Sequence, residues 1–334
     1  MISLERSNYS TRENSGNYKR GAIMKSKTLA LATLLLVTAF LLTQAIAPHT
    51  ALADASWTDT GGGMSSYGIQ RLAYDSTNNV LYAGTNSNGV WKYDGTSWTN
   101  TGGAVSSYSV PSLAYDSGHN LLYAGCYGDT TSTSTSRGVW KYNGTSWTNT
   151  GGNVSSYEIP SLAYDAGHNL LYAGTYHHGA WKYNGTSWTN TGGAVSSLYI
   201  NSLAYDSTHN VLYAGGGSPG VGNGVWKYDG TTWTDTGGGV SRYTICSFAY
   251  DSTHNLLYEV GYDPSTITGK GVWKYDGTTW TDTGGGVSSY FIQSLAYDSG
   301  HDLLYAGTYA GGGVWKYDGT TWTSTGGGVS SYGV

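Results

Sequence analysis

A tetrapeptide close to Leu-Ala-Tyr-Asp recurs six times between residues 56 and 334. Successive copies lie 41, 49, 41, 45 and 47 residues apart, and they begin at Leu72, Leu113, Leu162, Leu203, Phe248 and Leu295. Internal repeats of roughly 20–50 residues indicate a solenoid, a propeller or another repeat array, because each unit buries its apolar surface against its neighbours. This part of the chain is therefore expected to be built from six similar units.

Each unit reads as four short strands. In the second repeat we predict strands at residues 110–115, 121–124 and 139–142, with a fourth opening at Trp147. Asn143-Gly144 predicts a tight two-residue hairpin between the last two, because both residue types tolerate positive φ. Four antiparallel strands in roughly 42 residues make one propeller blade. We therefore predict an all-β propeller of six four-stranded blades, with seven blades, one incomplete, as the alternative.

The composition agrees with this fold. The chain holds 51 Gly, 31 Tyr and 13 Trp, and only 11% of its residues are charged, against roughly 25% in ordinary domains. Glycine, threonine and aromatic residues suit short strands and tight turns. The 13 Trp fall in the third and fourth strands of the units, and we expect all of them to pack within and between blades.

The third-to-fourth turn carries a family resemblance. With a preceding Gly-Val-Trp-Lys, it reads Tyr-Asp-Gly-Thr-Ser-Trp at residues 93–98 and Tyr-Asp-Gly-Thr-Thr-Trp at residues 228–233. These units resemble the repeats of bacterial Asp-box and two-component-regulator propellers. The resemblance implies a propeller, and it implies structural turn roles for Asp94, Asn143, Asn184, Asp229, Asp276 and Asp318. It implies no particular activity, because propellers host many functions.

The N-terminal region predicts export. Residues 28–47 are an uncharged apolar run preceded by Lys25 and Lys27, and small residues follow it. This is the layout of a secretory signal peptide, with cleavage expected after Ala55 or Ala53. A retained membrane anchor is the alternative, because about 20 apolar residues can span a bilayer.

These features divide the chain into a signal-peptide region at residues 1–55 and a propeller at residues 56–334. Met24 begins a more usual signal-peptide start than Met1, so we expect it to be the initiator. Under either reading of the apolar run, the propeller is expected to be secreted or held at the cell surface.

Closure of the ring is left open by the sequence. A surplus fourth strand around Trp57 precedes the first unit, and residues 330–334 begin another first strand after the last unit. Three arrangements are consistent with this pattern. Six blades can close with the surplus strand over an edge, the two ends can form a thin seventh blade, or the chain can be part of a longer array.

The loops that vary between repeats mark a candidate binding face. The second-to-third loop is short at residues 85–88 and 175–178 and long at residues 126–137, 216–223 and 260–270. This loop opens on the same face as the connection between blades, and insertions on one face of a repeat protein often mark its binding face. The ligand-binding residues predicted there are Tyr127, Arg137, Glu158, His177, His178, Tyr199, Arg242, Phe291 and Tyr309.

Aromatic side chains with a few polar groups on a concave face suit carbohydrate recognition. The expected function is therefore a non-enzymatic binding or scaffold propeller whose partner is a glycan or an extracellular protein. Residues 56–334 carry ten Lys or Arg and eighteen Asp or Glu, with no basic stripe. This balance argues against nucleic acid and anionic membranes as partners, beyond a possible uncleaved anchor.

No catalytic constellation is evident. Sialidases of the Asp-box type use an arginine triad, but Arg71, Arg137 and Arg242 occupy unrelated repeat positions. Glycoside hydrolysis usually needs two opposed carboxyl groups, and Glu158 and Glu259 are not in equivalent places. A secreted carbohydrate-active enzyme, either a hydrolase or a lyase, is therefore kept as the alternative function.

Neither metal nor cofactor is expected. Metal ligands must converge on one point, whereas the recurrent histidines occur one per blade, in the first hairpin turn of the unit, at His119, His168, His209, His254 and His301. A solvated turn role is predicted for them. Cys126 and Cys246 fall in opposite blades of a six-fold ring, so two separate thiols are expected rather than a disulfide.

Overall fold

The fold was examined in a computed structural model, which describes residues 59–64, 66–127, 138–218, 221–309 and 312–326. Contacts divide the chain into residues 1–55 and residues 56–334. The predicted signal peptide, Trp57 and residues 330–334 lie outside the described residues. Within the described ranges, no helix has the length and apolar character needed to cross a membrane.

The described residues form six four-stranded antiparallel sheets, in each of which the strands follow chain order, and this confirms the predicted all-β propeller of six blades. Blades 1–3 comprise β1 Ile69–Asp75, β2 Val80–Thr85, β3 Val90–Tyr93, β4 Trp98–Asn100, β5 Ser109–Asp116, β6 Leu121–Tyr127, β7 Gly138–Tyr142, β8 Trp147–Asn149, β9 Ser161–Asp165, β10 Leu170–Gly174, β11 Ala180–Tyr183 and β12 Trp188–Asn190. Blades 4–6 comprise β13 Ser202–Asp206, β14 Val211–Ser218, β15 Val221–Tyr228, β16 Trp233–Asp235, β17 Thr244–Asp251, β18 Leu256–Asp263, β19 Thr268–Tyr275, β20 Trp280–Asp282, β21 Ile292–Asp298, β22 Leu303–Thr308, β23 Val314–Tyr317 and β24 Trp322–Ser324.

One short 3-10 helix precedes each blade, at Gly62–Met64, Gly103–Val105, Asn153–Ser156, Gly193–Val195, Gly238–Val240 and Gly286–Ser289. The valine of this helix is fully buried in the five later copies, and Met64 takes its place in the first. The Gly-rich connection between blades is therefore an anchored turn, which fixes where the next first strand begins.

The third-to-fourth hairpin differs from the predicted two-residue turn. Tyr142 pairs with Trp147, so the loop has four residues. Asn143 Oδ1 accepts hydrogen bonds from the backbone N–H groups of Thr145 and Ser146, at 3.0 and 2.9 Å. Only Gly144 has a positive φ, of 91°. The Asn or Asp at this position thus acts as a hydrogen-bond acceptor that closes an Asx turn, and it is not one of two residues with positive φ.

Neighbouring blades are joined through their aromatic residues, as predicted. Trp188 Nε1 donates a hydrogen bond to Thr150 Oγ1 of the preceding blade at 3.0 Å, and Thr150 Oγ1 donates to the Val139 carbonyl at 2.9 Å. The same Trp-to-Thr bond recurs at Trp98, Trp147, Trp233, Trp280 and Trp322. Each interblade contact is therefore fixed by a specific hydrogen bond in addition to apolar burial.

Removing one such bond should lower stability measurably. We expect Thr150→Val to reduce the free energy of unfolding by about 1–2 kcal/mol, because the indole N–H of Trp188 loses its acceptor while the side-chain volume is kept. Urea unfolding followed by Trp fluorescence measures this loss. Thr148→Val, at an exposed position two residues earlier, in β8, is the matched control, and an equal loss in both variants would contradict the role of the interblade bond.

The two ends of the array expose apolar faces. Leu72 of blade 1 is 53% exposed, whereas the equivalent residues of blades 2–6 are only 7–9% exposed. On blade 6, Ala296 is exposed although its equivalents Ala114 and Ala163 are buried. Five hydrophobic clusters link successive blades, and none of those found in the described residues links blade 6 to blade 1. Blades 1 and 6 thus each have one neighbouring blade among the described residues.

Candidate functional site

The second-to-third loops and the connections between blades lie side by side on one face, which we call the loop face. In blade 3, the backbone N–H of Tyr176 donates to the Glu158 carbonyl at 3.3 Å, and that of Ile200 donates to the Thr175 carbonyl at 3.1 Å. Loops of adjacent blades are therefore tied together by backbone hydrogen bonds. This tie positions side chains from three blades close to one another.

Four rings from blades 2–4 form a cluster on the loop face. The ring centroids of Tyr127 and Tyr176 are 5.6 Å apart, those of Tyr176 and Tyr199 are 4.8 Å apart, and those of His177 and Tyr199 are 3.8 Å apart. We name this group, Tyr127, Tyr176, His177 and Tyr199, the tyrosine cluster. Each tyrosine is half-buried and His177 is exposed, so the rings are held in place while part of their surface faces solvent.

Charges of both signs lie close to the tyrosine cluster. Burial, together with a hydrogen bond to Tyr176 and the carboxylate of Glu158, raises the pKa of Tyr127 well above its usual value, and the guanidinium of Arg71 partly opposes this shift. Tyr127 is thus a neutral hydroxyl at physiological pH, coupled electrostatically to one anion and one cation. Such a mixture of aromatic and charged groups is typical of a ligand site.

The remaining predicted site residues are dispersed. His178 stacks on Tyr157 with a centroid distance of 3.9 Å, and its Nδ1 lies 2.7 Å from the Tyr176 carbonyl. Phe291 and Tyr309 contact each other on blade 6, and Tyr262 of blade 5 extends this second group. The sequence prediction included neither Tyr176 nor Tyr262, because the contacts of their rings with residues of adjacent blades are visible only in the structure.

The two arginines predicted for the binding face contribute nothing to the tyrosine cluster. Arg242 is exposed on the connection between blades 4 and 5. Arg137 lies outside the described residues. Neither therefore adds to the site that the described residues define.

Residues of the innermost strands of blades 1–5 line a cavity of about 160 Å³. Its lining includes Arg71, Ser112, Ser161 and Ser202, together with the apolar residues Leu113, Leu162, Leu203 and Phe248. Arg71 is the only charged residue in this lining. Its Nε donates to the Pro111 carbonyl at 3.4 Å, and burial lowers its pKa. The cavity is thus a small, mostly neutral space that contains one cation.

The two glutamates of the body occupy different environments. Glu158 lies at the loop face, beside Tyr127. Glu259 is fully buried, neither of its carboxyl oxygens has a hydrogen-bond partner in the part of the chain that the structure describes, and burial raises its pKa well above the usual value. A group with no exposed surface cannot contact a ligand on the loop face, so the described residues do not bring the two carboxyl groups together in one open site.

The first hairpin turns are closed by hydrogen bonds. Asp116 Oδ1 accepts from the backbone N–H of His119, and Asp116 Oδ2 lies 2.8 Å from His119 Nδ1. The same arrangement recurs at His168, His209, His254 and His301, whose side chains are about half exposed. These histidines are therefore solvated turn residues bonded to the aspartate of their own turn.

One blade pair brings three possible metal ligands together. Asp251, His254 and Asp302 place their ligand atoms within 4.8 Å of one another, because Asp302 stands where the other repeats have Asn. Asp251 already accepts hydrogen bonds from the backbone N–H groups of Thr253 and His254. The Asp251 carboxylate is thus bonded within its own turn. The equivalent aspartates are bonded in the same way in blades that have no second acidic residue nearby.

Both cysteines are free thiols, Cys126 buried and Cys246 half-buried. Burial raises the pKa of both, that of Cys246 to about 12. Thiols with such raised pKa values are weak nucleophiles at neutral pH. They match the two separate thiols expected from their positions in the repeats.

No protein-family model matches the chain, and no curated protein matches its sequence. Several solved structures resemble it. A chain of a nidogen/laminin complex aligns over 72% of this chain and 88% of its own length, with 12% identity and a TM-score of 0.52. The likeness is one of fold.

Two bacterial proteins show the same likeness. The extracellular domain of a putative hybrid two-component system of B. thetaiotaomicron aligns over 78% of this chain at 19% identity, with a TM-score of 0.59. The GH74 enzyme of Niastella koreensis aligns over 78% at 17% identity, with a TM-score of 0.58. This chain spans 33% and 47% of the lengths of those two proteins. At these identities the comparisons establish the shared fold, and the functions of the neighbours differ.

Proposed function

We propose that the chain is an exported, non-enzymatic propeller that binds a glycan through the tyrosine cluster. The observation that carries this proposal is the convergence of Tyr127, Tyr176, His177 and Tyr199 from three blades onto one partly exposed surface. Aromatic faces bury the apolar side of a sugar ring, and adjacent polar groups orient its hydroxyls. Glu158, which couples to Tyr127, supplies one such acceptor.

Export to the cell surface or the medium is part of the same proposal. It rests on the apolar run at residues 28–47 and the small residues after it, which together have the layout of a signal peptide. An extracellular location would place the loop face where polysaccharides are available.

Truncating one ring should weaken glycan binding. We expect Tyr199→Ala to raise the Kd of a bound oligosaccharide about tenfold, because Tyr199 contacts both Tyr176 and His177 and its loss removes the centre of the cluster. Calorimetric titration of the purified protein with oligosaccharides selected by a polysaccharide binding screen measures the change. Sugar analysis of the same mixtures tests for turnover.

Tyr309→Ala is the matched control, because Tyr309 is a 58% exposed tyrosine in the second aromatic group. We expect this variant to bind as the unchanged protein does. Loss of binding in Tyr309→Ala alone would move the site to blades 5 and 6. Accumulation of cleaved product would replace the binding function with that of a carbohydrate-active enzyme, and the absence of any glycan binding would favour a protein partner.

A further inference from the structure

One position of the innermost strand differs in a single blade. The residue before the Leu-Ala-Tyr-Asp tetrad is Ser in five repeats, at Ser112, Ser161, Ser202, Ser247 and Ser294, and it is Arg71 in the first. The strand register is the same, since Arg71 pairs with Gly84 as Ser112 pairs with Gly125. The fold therefore accepts serine here, and the arginine of blade 1 is not required by the repeat.

The serines at this position serve to join blades. Ser112 Oγ donates to the Ile159 carbonyl at 2.8 Å, and Ser161 Oγ donates to the Ile200 carbonyl at 3.1 Å. The hydroxyl protons of Ser112 and Ser161 are thus already used in hydrogen bonds to the next blade. Within the described part of the chain, Arg71 makes a comparable contact through Nε alone, with the Pro111 carbonyl at 3.4 Å. The terminal nitrogens of its guanidinium, and the hydroxyl of Ser202, are hydrogen-bond donors that a ligand in this cavity can use.

No carboxylate among the described residues forms an ion pair with Arg71, and the lining of the cavity is otherwise serine hydroxyls and apolar side chains. A cation removed from water without an opposite charge is costly. In a blade where serine would suffice, a half-buried guanidinium that has no carboxylate partner among the described residues and lines a cavity indicates a site that takes an anion.

The anion site is close to the tyrosine cluster. Gln70, which precedes Arg71, accepts a hydrogen bond from Ser109 Oγ at 3.2 Å, and Ser109 pairs with Tyr127 across the sheet. The charge of Arg71 also acts on the hydroxyl of Tyr127. A ligand on the tyrosine cluster can therefore place a charged substituent against Arg71 without leaving the rings.

We propose that Arg71 binds the carboxylate of an acidic sugar, a uronic acid residue of a polysaccharide, whose ring rests on the tyrosine cluster. This rests on the proposed glycan-binding function and names its ligand class. The planar guanidinium matches a carboxylate in a two-bond fork. A carboxylate brings a single negative charge, which the single cation balances, and a cavity of about 160 Å³ admits a substituent of this size.

The test compares acidic trisaccharides of galacturonate, glucuronate and mannuronate with the same trisaccharides after reduction of their carboxyl groups to alcohols. We expect the full chain to bind at least one acidic trisaccharide about tenfold or more tightly than its reduced form, as a charge-assisted hydrogen bond predicts. In Arg71→Ser, which installs the residue of the other five blades, that preference should disappear. Arg71→Lys should keep part of it.

Lys92→Ser is the control for loss of one positive charge from the same blade, and it should keep the full preference. Equal binding of acidic and reduced sugars by the unchanged protein would overturn the role of Arg71 while leaving the glycan function in place. Tighter binding of a sulfated than of a carboxylated sugar would overturn the assignment to a carboxylate.

A second measurement separates the anion site from the glycan function. Free glucuronate should raise the Tm of the unchanged protein relative to glucose and to NaCl of equal ionic strength, and it should not do so for Arg71→Ser. This Arg71-dependent stabilisation without binding of any trisaccharide would support the anion site and refute the glycan function. No stabilisation and no preference for acidic sugars would overturn the anion site itself.

Discussion

Replacing Glu259 with Met is expected to raise the free energy of unfolding at pH 4 by about 2 kcal/mol. The carboxyl group is fully buried, and its two oxygens have no hydrogen-bond partner among the described residues. Substitution of a buried, unsatisfied polar group by an apolar one of similar volume removes a desolvation penalty of roughly this size. The other blades carry Ala at this position, at Ala83, Ala124, Ala173, Ala214 and Ala306, so nothing in the repeat requires a carboxylate.

The same residue should make stability depend on pH. Burial raises the pKa of Glu259 in the folded protein well above the 4.5 of an exposed glutamate. The folded state therefore holds a proton that the unfolded state has released, and stability falls as pH rises from about 4.5 to the folded pKa. The steepest expected decline is about 1.4 kcal/mol per pH unit.

Chemical denaturation between pH 4 and pH 9 measures this slope, and Glu259→Gln is the matched variant because it keeps shape and polarity without titrating. The difference between the two proteins isolates Glu259 from other groups, such as Asp94, whose pKa is lowered to about 2 by hydrogen bonds from Thr96 and Ser97. Cys246, with a pKa of about 12, titrates above the window. Parallel pH profiles for the two proteins would show that Glu259 has a partner in solution.

Gly174→Val is expected to reduce the free energy of unfolding by about 3 kcal/mol, at the upper end of overpacking costs. A Cβ at Gly174 would lie 2.6 Å from Cγ2 and 2.7 Å from the carbonyl oxygen of Ile200 in the next blade. Blade 4 would have to move away from blade 3, although blade 5 holds it from the other side. Thermal and urea unfolding measure the loss.

Blade 5 shows what such a change requires, because Val260 naturally occupies the equivalent position. There the interblade bond differs, since Ser247 Oγ accepts from the backbone N–H of Leu295, whereas Ser161 Oγ donates to the carbonyl of Ile200. Blade 6 can adopt this arrangement because no described blade packs on its far side. Gly68→Ala, where a Cβ meets only Asn86 at 3.7 Å, is the control, and equal losses in the two variants would contradict the steric argument.

The fold was predictable because its determinants recur. The tetrad, the turn residues and the paired Trp appear six times, so each copy supports the interpretation of the others, and the four strands of each blade follow. The hairpin at Asn143 was misassigned because Asn-Gly also fits a longer Asx turn, and the difference depends on hydrogen bonds to Thr145 and Ser146.

The candidate site was predictable only in part. Loop variation singled out Tyr127, His177 and Tyr199 as candidates, but which of the predicted rings meet depends on how loops of adjacent blades bond to each other. Tyr176 was not singled out, although it precedes His177 in the same loop, because the sequence does not show that its ring lies between those of Tyr127 and Tyr199. Arg71 could have been found by comparing the repeats, since it alone replaces Ser at its position. Its place in the lining of the cavity needed the structure.

Among the described residues, blades 1 and 6 each pack against one neighbouring blade, and this makes the stability of the described array uneven. In an array with ends, each unit is stabilised by its nearest neighbours, and a terminal unit has one fewer interface than an interior unit. Local opening therefore begins at the ends and is least frequent in the central blades. Tyr127, Tyr176 and Tyr199 lie on blades 2–4, and the most stable part of the described array is thus also the part that holds the proposed binding surface in place.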